Sequence, residues 1–150
     1  MIYLGVCITI LTTYLGYCFS KKLTKRKKFF IDFFNFNQKL KREMSFSKKT
    51  LLSIIENENS SDFIVLLKEL VEEKEVNRPQ YLNKDEYDLF INYASFVGKS
   101  DLTSQINYFN TINESIKVVE NKSKSDEERL KPLYLKLGFF IGLAITVILL

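Results

Sequence analysis

Two apolar runs close the ends of the chain, and between them short apolar stripes alternate with dense charge. Ile2 to Phe19 reads IYLGVCITILTTYLGYCF without one charged residue, and Leu133 to Leu150 carries only Lys136. A bilayer core of about 30 Å needs roughly 20 helical residues, with 17–25 usual. Both runs therefore predict membrane spans at the short end of that range. A cleaved leader is the competing reading of the first run, but no basic residues precede it and no small-x-small site follows. A buried core helix is the alternative for either run. Pro132 is expected in the first turn of the second span, where its missing N–H costs little. Lys136 can snorkel toward the headgroups.

The interior reads as helices separated by punctuation. Positions 29, 30, 33, 34, 37 and 40 fall near one stripe, so a helix continues from the first span. Ser47 is a plausible N-cap for a helix through Leu51, Leu52, Ile54 and Ile55, broken at Asn57-Glu58-Asn59-Ser60. Ser61 or Asp62 then starts Phe63, Leu66, Leu67, Leu70 and Val71, spaced three and four apart, and Arg78-Pro79 closes that region. Asn83-Lys84-Asp85-Glu86 has the form of a capping box before Tyr87, Phe90, Ile91, Ala94 and Val97. Gly98 stands where a left-handed C′ residue is expected. Ser100 looks like the next N-cap, with Asp101 at the positive end of the helix dipole. Leu102, Ile106, Phe109, Ile112, Ile116 and Val119 form one face. From there to Arg129 the chain is polar, as exposed helix or a loose hinge.

No strand pattern appears. The fold class is all-α: a small cytoplasmic helical bundle flanked by two terminal transmembrane helices. The segments are 1–20 (transmembrane helix), 21–131 (cytoplasmic helical domain with a basic juxtamembrane start, 21–49) and 132–150 (transmembrane helix). About 110 residues remain for one modest domain. Amphipathic helices must bury their stripes against each other or a partner, which leaves room for a homodimer.

Charge sets the orientation. The 150 residues carry a net +4, but Lys21 to Lys49 holds eleven basic and two acidic residues, whereas Thr50 to Pro132 holds ten basic and sixteen acidic ones. Six Lys/Arg follow the first span within Lys21–Lys28, and Lys122, Lys124, Arg129 and Lys131 precede the second. The positive-inside rule puts the middle in the cytoplasm and both termini outside. Lys21–Lys28 can engage anionic membrane lipids at about 1 kcal/mol per residue. The phenylalanines among these bases could suggest nucleic-acid stacking, but helical continuation is more economical, and no nucleic-acid partner is expected.

Candidate chemistry is sparse. The chain contains no His, so no Ser–His or Cys–His nucleophile can form within it. Acidic clusters at Glu69-Glu72-Glu73-Glu75, Asp85-Glu86-Asp88 and Asp126-Glu127-Glu128 read as solvated helix faces, not as a cleft that separates carboxyl pKa values. No calcium loop is present. Cys7 and Cys18 lie about 16 Å apart along one helix at 1.5 Å per residue, beyond disulfide reach. No catalytic residue, cofactor or metal site is expected. Close packing in lipid is expected instead: Gly138 and Gly142 form GxxxG, extended by Thr146, and Thr12 with Gly16 makes a weaker small-xxx-small pair.

The order of these features resembles the stage III sporulation protein AB family. The resemblance rests on the anchor ending in a Lys-rich run, on Phe96-Val97-Gly98-Lys99-Ser100-Asp101 followed by Gln105, and on Leu133-Tyr134-Leu135-Lys136-Leu137-Gly138-Phe139-Phe140-Ile141-Gly142 with a closing Ile148-Leu149-Leu150. It covers essentially the full chain, with a shorter middle segment around Asn59-Ser60-Ser61 as a departure. It implies an endospore-forming bacterium and a helical domain similar to the inner-membrane platform protein of type II secretion. The implied role is non-catalytic: a scaffold in the channel complex joining mother cell and forespore. The partners would be other membrane subunits and a secretion-type ATPase, on the mother-cell side of the engulfing membrane. Gly98, Ser100, Asp101 and Gln105 match the family's turn, which reads either as a capped helical corner or as a partner-docking corner. Gly138 and Gly142 match its second span. A free-standing membrane-anchored regulator binding a soluble cytoplasmic factor is the alternative function, and a membrane-bound enzyme comes third.

Overall fold

Stripes spaced three and four apart fold here as helices. The computed structural model describes residues 2–46, 51–56, 58, 60–97 and 102–149. They form α1 (Ile2–Phe46), α2 (Leu51–Glu56), α3 (Asp62–Val71), α4 (Lys84–Phe96) and α5 (Leu102–Leu149), with no strand among the described residues. Two compact units result: residues 28–121, and residues 1–27 with 122–150.

In the 28–121 unit, α1 turns one stripe inward. Phe29, Phe30, Phe33, Phe36 and Leu40 are all buried, together with Phe63 and Leu67 of α3, Phe90 and Tyr93 of α4, and Phe109 and Ile116 of α5. The rings pack edge to face: Phe29 meets Phe90 at 5.4 Å and Phe33 meets Tyr93 at 4.7 Å between centroids. Such pairs add about 0.5–1.5 kcal/mol each beyond area burial, so the phenylalanine-rich stretch of α1 is core. Asn37 lies in the same stripe, and its amide donates to the Phe109 carbonyl at 3.3 Å.

Local caps set the helix starts. Ser61 is the N-cap of α3, its hydroxyl accepting from the Ile64 N–H at 3.4 Å. At α4 both halves of the capping box form: Asn83 Oδ1 accepts from the Glu86 N–H at 2.9 Å, and Glu86 Oε2 accepts from the Asn83 N–H at 3.1 Å. The expected caps at Ser47 and Ser100 and the C′ glycine at Gly98 lie outside the described residues.

α3 ends sooner than the Arg78-Pro79 pair suggests. Its last helical residue is Val71, and Glu73 takes a left-handed φ of 58°. The Lys74 N–H closes the turn on the Glu69 carbonyl at 2.9 Å. Terminal carbonyls have to be satisfied somewhere, and here that closure outweighs the strain of a non-glycine residue at positive φ. The chain from there to α4 is held by side chains instead. The Tyr87 hydroxyl donates to the Val76 carbonyl, and the Tyr81 hydroxyl donates to Asp62 at 3.1 Å.

In the other unit the two terminal helices run antiparallel. Each is long and apolar enough to cross a membrane, and only 17% and 11% of their apolar windows are buried within the chain. That exposure argues against core helices, whose apolar windows would be covered. Pro132 does not stand in the first turn of a helix. It lies inside α5, which runs unbroken from Leu102. The polar residues before it remain helical because Ser123 and Glu127 are buried rather than solvated. The missing proline N–H leaves the carbonyl four residues earlier without its helical bond, on an exposed stretch where water can replace it.

Candidate functional site

The small residues of the two apolar runs meet in one seam. A Cβ built on Gly138 would stand 2.7 Å from the Thr12 carbonyl oxygen and 3.4 Å from Gly16 Cα; one on Gly16 would stand 2.5 Å from the Tyr134 carbonyl oxygen. A Cβ on Gly142 would collide with the Thr12 hydroxyl and come within 2.6 Å of Thr9 Cα, and one on Gly5 would collide with Thr146. Gly16, Gly138 and Gly142 are therefore sites of close backbone approach, and Gly5 is where the Thr146 side chain seats against α1. Real side chains do not fit at these distances, so glycine is required by space rather than by backbone dihedral.

Threonine hydroxyls lace the same seam. The Thr146 hydroxyl lies 2.9 Å from the carbonyl oxygens of Gly5 and Gly142 and 3.0 Å from the Thr9 hydroxyl. Thr12 and Thr13 donate back to carbonyls of their own helix, Thr13 to Thr9 at 2.7 Å. In lipid each polar hydrogen needs a protein acceptor, and these hydroxyls find theirs without leaving the seam. The opposite faces are bare: Tyr3, Ile10, Leu11, Tyr14, Phe140 and Ile148 are all more than half exposed.

Beyond the apolar stretch the same pairing continues with charge. Lys27 donates to Glu127 at 2.7 Å, Thr24 donates to Glu127 at 2.9 Å, and Lys131 approaches it at 3.1 Å. Arg26 pairs with Asp126 at 2.8 Å. The hydrogen bond from Lys27 is the main reason the Glu127 carboxyl is held down to about 2, with Lys131 and Thr24 adding to it against the opposing effect of burial. The Asp126-Glu127-Glu128 cluster was expected on a solvated face. Glu127 is instead buried and Asp126 half-buried, because α1 presents Thr24, Arg26 and Lys27 opposite them.

The structure thus brings Thr12, Gly16, Gly138 and Gly142 into one place. Gly98, Ser100 and Asp101 lie outside the described residues. Gln105 is 4% exposed, its side chain turned into the bundle rather than toward solvent. Sequence reasoning overlooked Gly5 and Thr9, although Gly5, Thr9, Thr12, Gly16 and Ser20 recur every three or four residues. It also overlooked the pairing of Arg26 and Lys27 with Asp126 and Glu127, for which no local signal exists, since the partners are 100 residues apart.

Comparison with curated proteins and with solved structures yields no match. The family model of stage III sporulation protein AB matches residues 55–150, from the end of α2 through the whole of α5. α1, with the first apolar run and the basic stretch, falls outside that match. With well over half its length so matched, the chain belongs to the stage III sporulation protein AB family.

Proposed function

We propose that this sporulation protein is a non-catalytic platform subunit of a secretion-like channel complex between mother cell and forespore. The observation that supports it is the seam itself: in a chain of this family, two terminal apolar helices are closed on each other by backbone contact. In this reading Lys21–Lys28 sets the topology, with the helical unit in the mother-cell cytoplasm and both termini outside. The exposed faces of the spans meet lipid and neighbouring membrane subunits. The helical unit engages the complex's secretion-type ATPase, through the segment containing Gly98, Ser100 and Asp101, or pairs with a second copy of itself.

The test is site-specific crosslinking in membranes of sporulating cells. The crosslinker is attached at Asn107, exposed near the start of α5, because Gln105 is buried. Capture of an ATPase or of other channel subunits supports the platform role. Capture of a soluble regulator alone, with the channel assembling normally without this protein, overturns it in favour of a membrane-anchored regulator.

A further inference from the structure

The basic residues that follow the first apolar run do not share one job. Arg26 and Lys27 are spent inside the seam, on Asp126 and Glu127. Lys21, Lys22 and Lys25 are exposed and have no carboxylate partner among the described residues. Lys21 Nζ instead lies 4.9 Å from the Tyr17 ring centroid, and Lys22 Nζ lies 5.7 Å from that of Phe19. Both ammonium groups thus lean back along α1 toward its apolar part. Helix geometry favours this direction, because every Cα–Cβ bond tilts toward the helix N-terminus.

On α5 the same rule acts in the opposite sense. The helix runs antiparallel, so its N-terminal direction leads away from the apolar end, and the exposed Lys136 tilts up toward the level of the lysines on α1. Gly16 is level with Tyr134 and Thr24 with Glu127. Lys21 and Lys136 therefore start about 10 Å apart along the axis at 1.5 Å per residue and approach each other by their long stems.

We propose that Lys21, Lys22, Lys25 and Lys136 form a collar that binds the phosphates of anionic phospholipid headgroups, while Arg26 and Lys27, paired with Asp126 and Glu127, lock the seam instead of binding lipid. The inference rests on the two apolar runs spanning a bilayer. Its occupant follows from charge and depth: the Lys21 and Lys22 ammonium groups lie against the rings of Tyr17 and Phe19 at the edge of the apolar stretch, where lipid phosphates lie, the exposed Lys25 follows one turn beyond Lys21, and the exposed Lys136 stands in the apolar run of α5. The Tyr17 and Phe19 rings hold two of the cations in place through their π faces.

The full chain, reconstituted in bilayers of phosphatidylcholine with phosphatidylglycerol, is probed with spin-labelled forms of each lipid. The wild-type protein restricts labelled phosphatidylglycerol severalfold more than labelled phosphatidylcholine. K21Q/K22Q/K25Q/K136Q brings that ratio to about one, as loss of the local attraction of basic side chains requires, with the thermal midpoint unchanged. The charge-keeping K21R/K22R/K25R/K136R retains the wild-type ratio. A glutamine variant with undiminished selectivity, or an arginine variant that loses it, overturns the proposal. Extraction of the wild-type protein from membranes at alkaline pH would instead sink the spanning reading on which the proposal stands.

Discussion

Gly138 and Gly16 face each other across the α1–α5 seam so closely that a methyl group on Gly138 would stand 3.4 Å from the α-carbon of Gly16 and 2.7 Å from the Thr12 carbonyl oxygen. The obstacle is backbone, which cannot swing aside as a flexible side chain can. Gly138→Ala should therefore open the seam at a cost of about 1–3 kcal/mol, the range for overpacking. Leu143→Ala, on an exposed face, should leave it unchanged. Energy transfer between labels at positions 3 and 148, followed through unfolding in micelles on a cysteine-free background, compares the two. Equal effects would mean that the seam is not the tight contact described.

Thr146 tests the polar part of the same seam. Thr146→Val keeps the shape and removes the hydroxyl that reaches the Gly5 and Gly142 carbonyls and Thr9. The expected loss is about 0.6 kcal/mol, and no more than about 2 kcal/mol. A cycle with Thr9→Val should be non-additive because the two hydroxyls are in contact. Strict additivity would show that they act separately.

Glu127 links the seam to pH. Its carboxyl is held at about 2 against an ordinary 4.5, so the folded state binds its proton less readily than the unfolded chain does. The resulting stability is present in full above about pH 4.5 and is lost as pH falls toward 2. Acid unfolding of the wild-type chain should steepen across that window, and Glu127→Gln should flatten it. A wild-type and a variant curve of equal slope would remove Glu127 from the linkage.

Tyr93 is fully buried, and its hydroxyl has no hydrogen-bond partner among the described residues. Burial, with a smaller contribution from the neighbouring Tyr108, drives its ionisation well above the usual tyrosine range. An unsatisfied buried polar group costs about 1–3 kcal/mol. Tyr93→Phe should thus raise the stability of the helical unit, read as a higher thermal midpoint by circular dichroism. A lower midpoint would reveal a partner for the hydroxyl.

Much of this arrangement was legible in the residues because it is local. The capping box at Asn83 and Glu86, the N-cap at Ser61 and the two apolar runs are all signalled within a few positions. The register between α1 and α5 is not local. Nothing near Lys27 indicates that Glu127 will face it, so the acidic cluster reads as solvated until the partner helix is placed. Pro132 misleads for a related reason. A proline before an apolar run ordinarily marks a helix start, and only the burial of Ser123 and Glu127 against α1 keeps the preceding polar stretch helical. The end of α3 was missed because no glycine marks it. Glu73 takes the left-handed position under the pull of the carbonyls it helps to cap. Of the candidate sites, GxxxG at Gly138 and Gly142 was visible as a motif, but its facing residues were not.

The seam also has a consequence for synthesis. Gly5 and Thr146 meet in the folded chain but lie 141 residues apart in sequence. At about 5–20 residues per second, the ribosome needs roughly 7–28 s to travel between them. Through that interval the glycine and threonine ladder of α1 is uncovered, able to pair with any small-residue helix nearby. The hairpin therefore closes late, once α5 has been made as far as Thr146. A pause or truncation upstream of Thr146 would leave the most adhesive face of α1 open to the wrong neighbour.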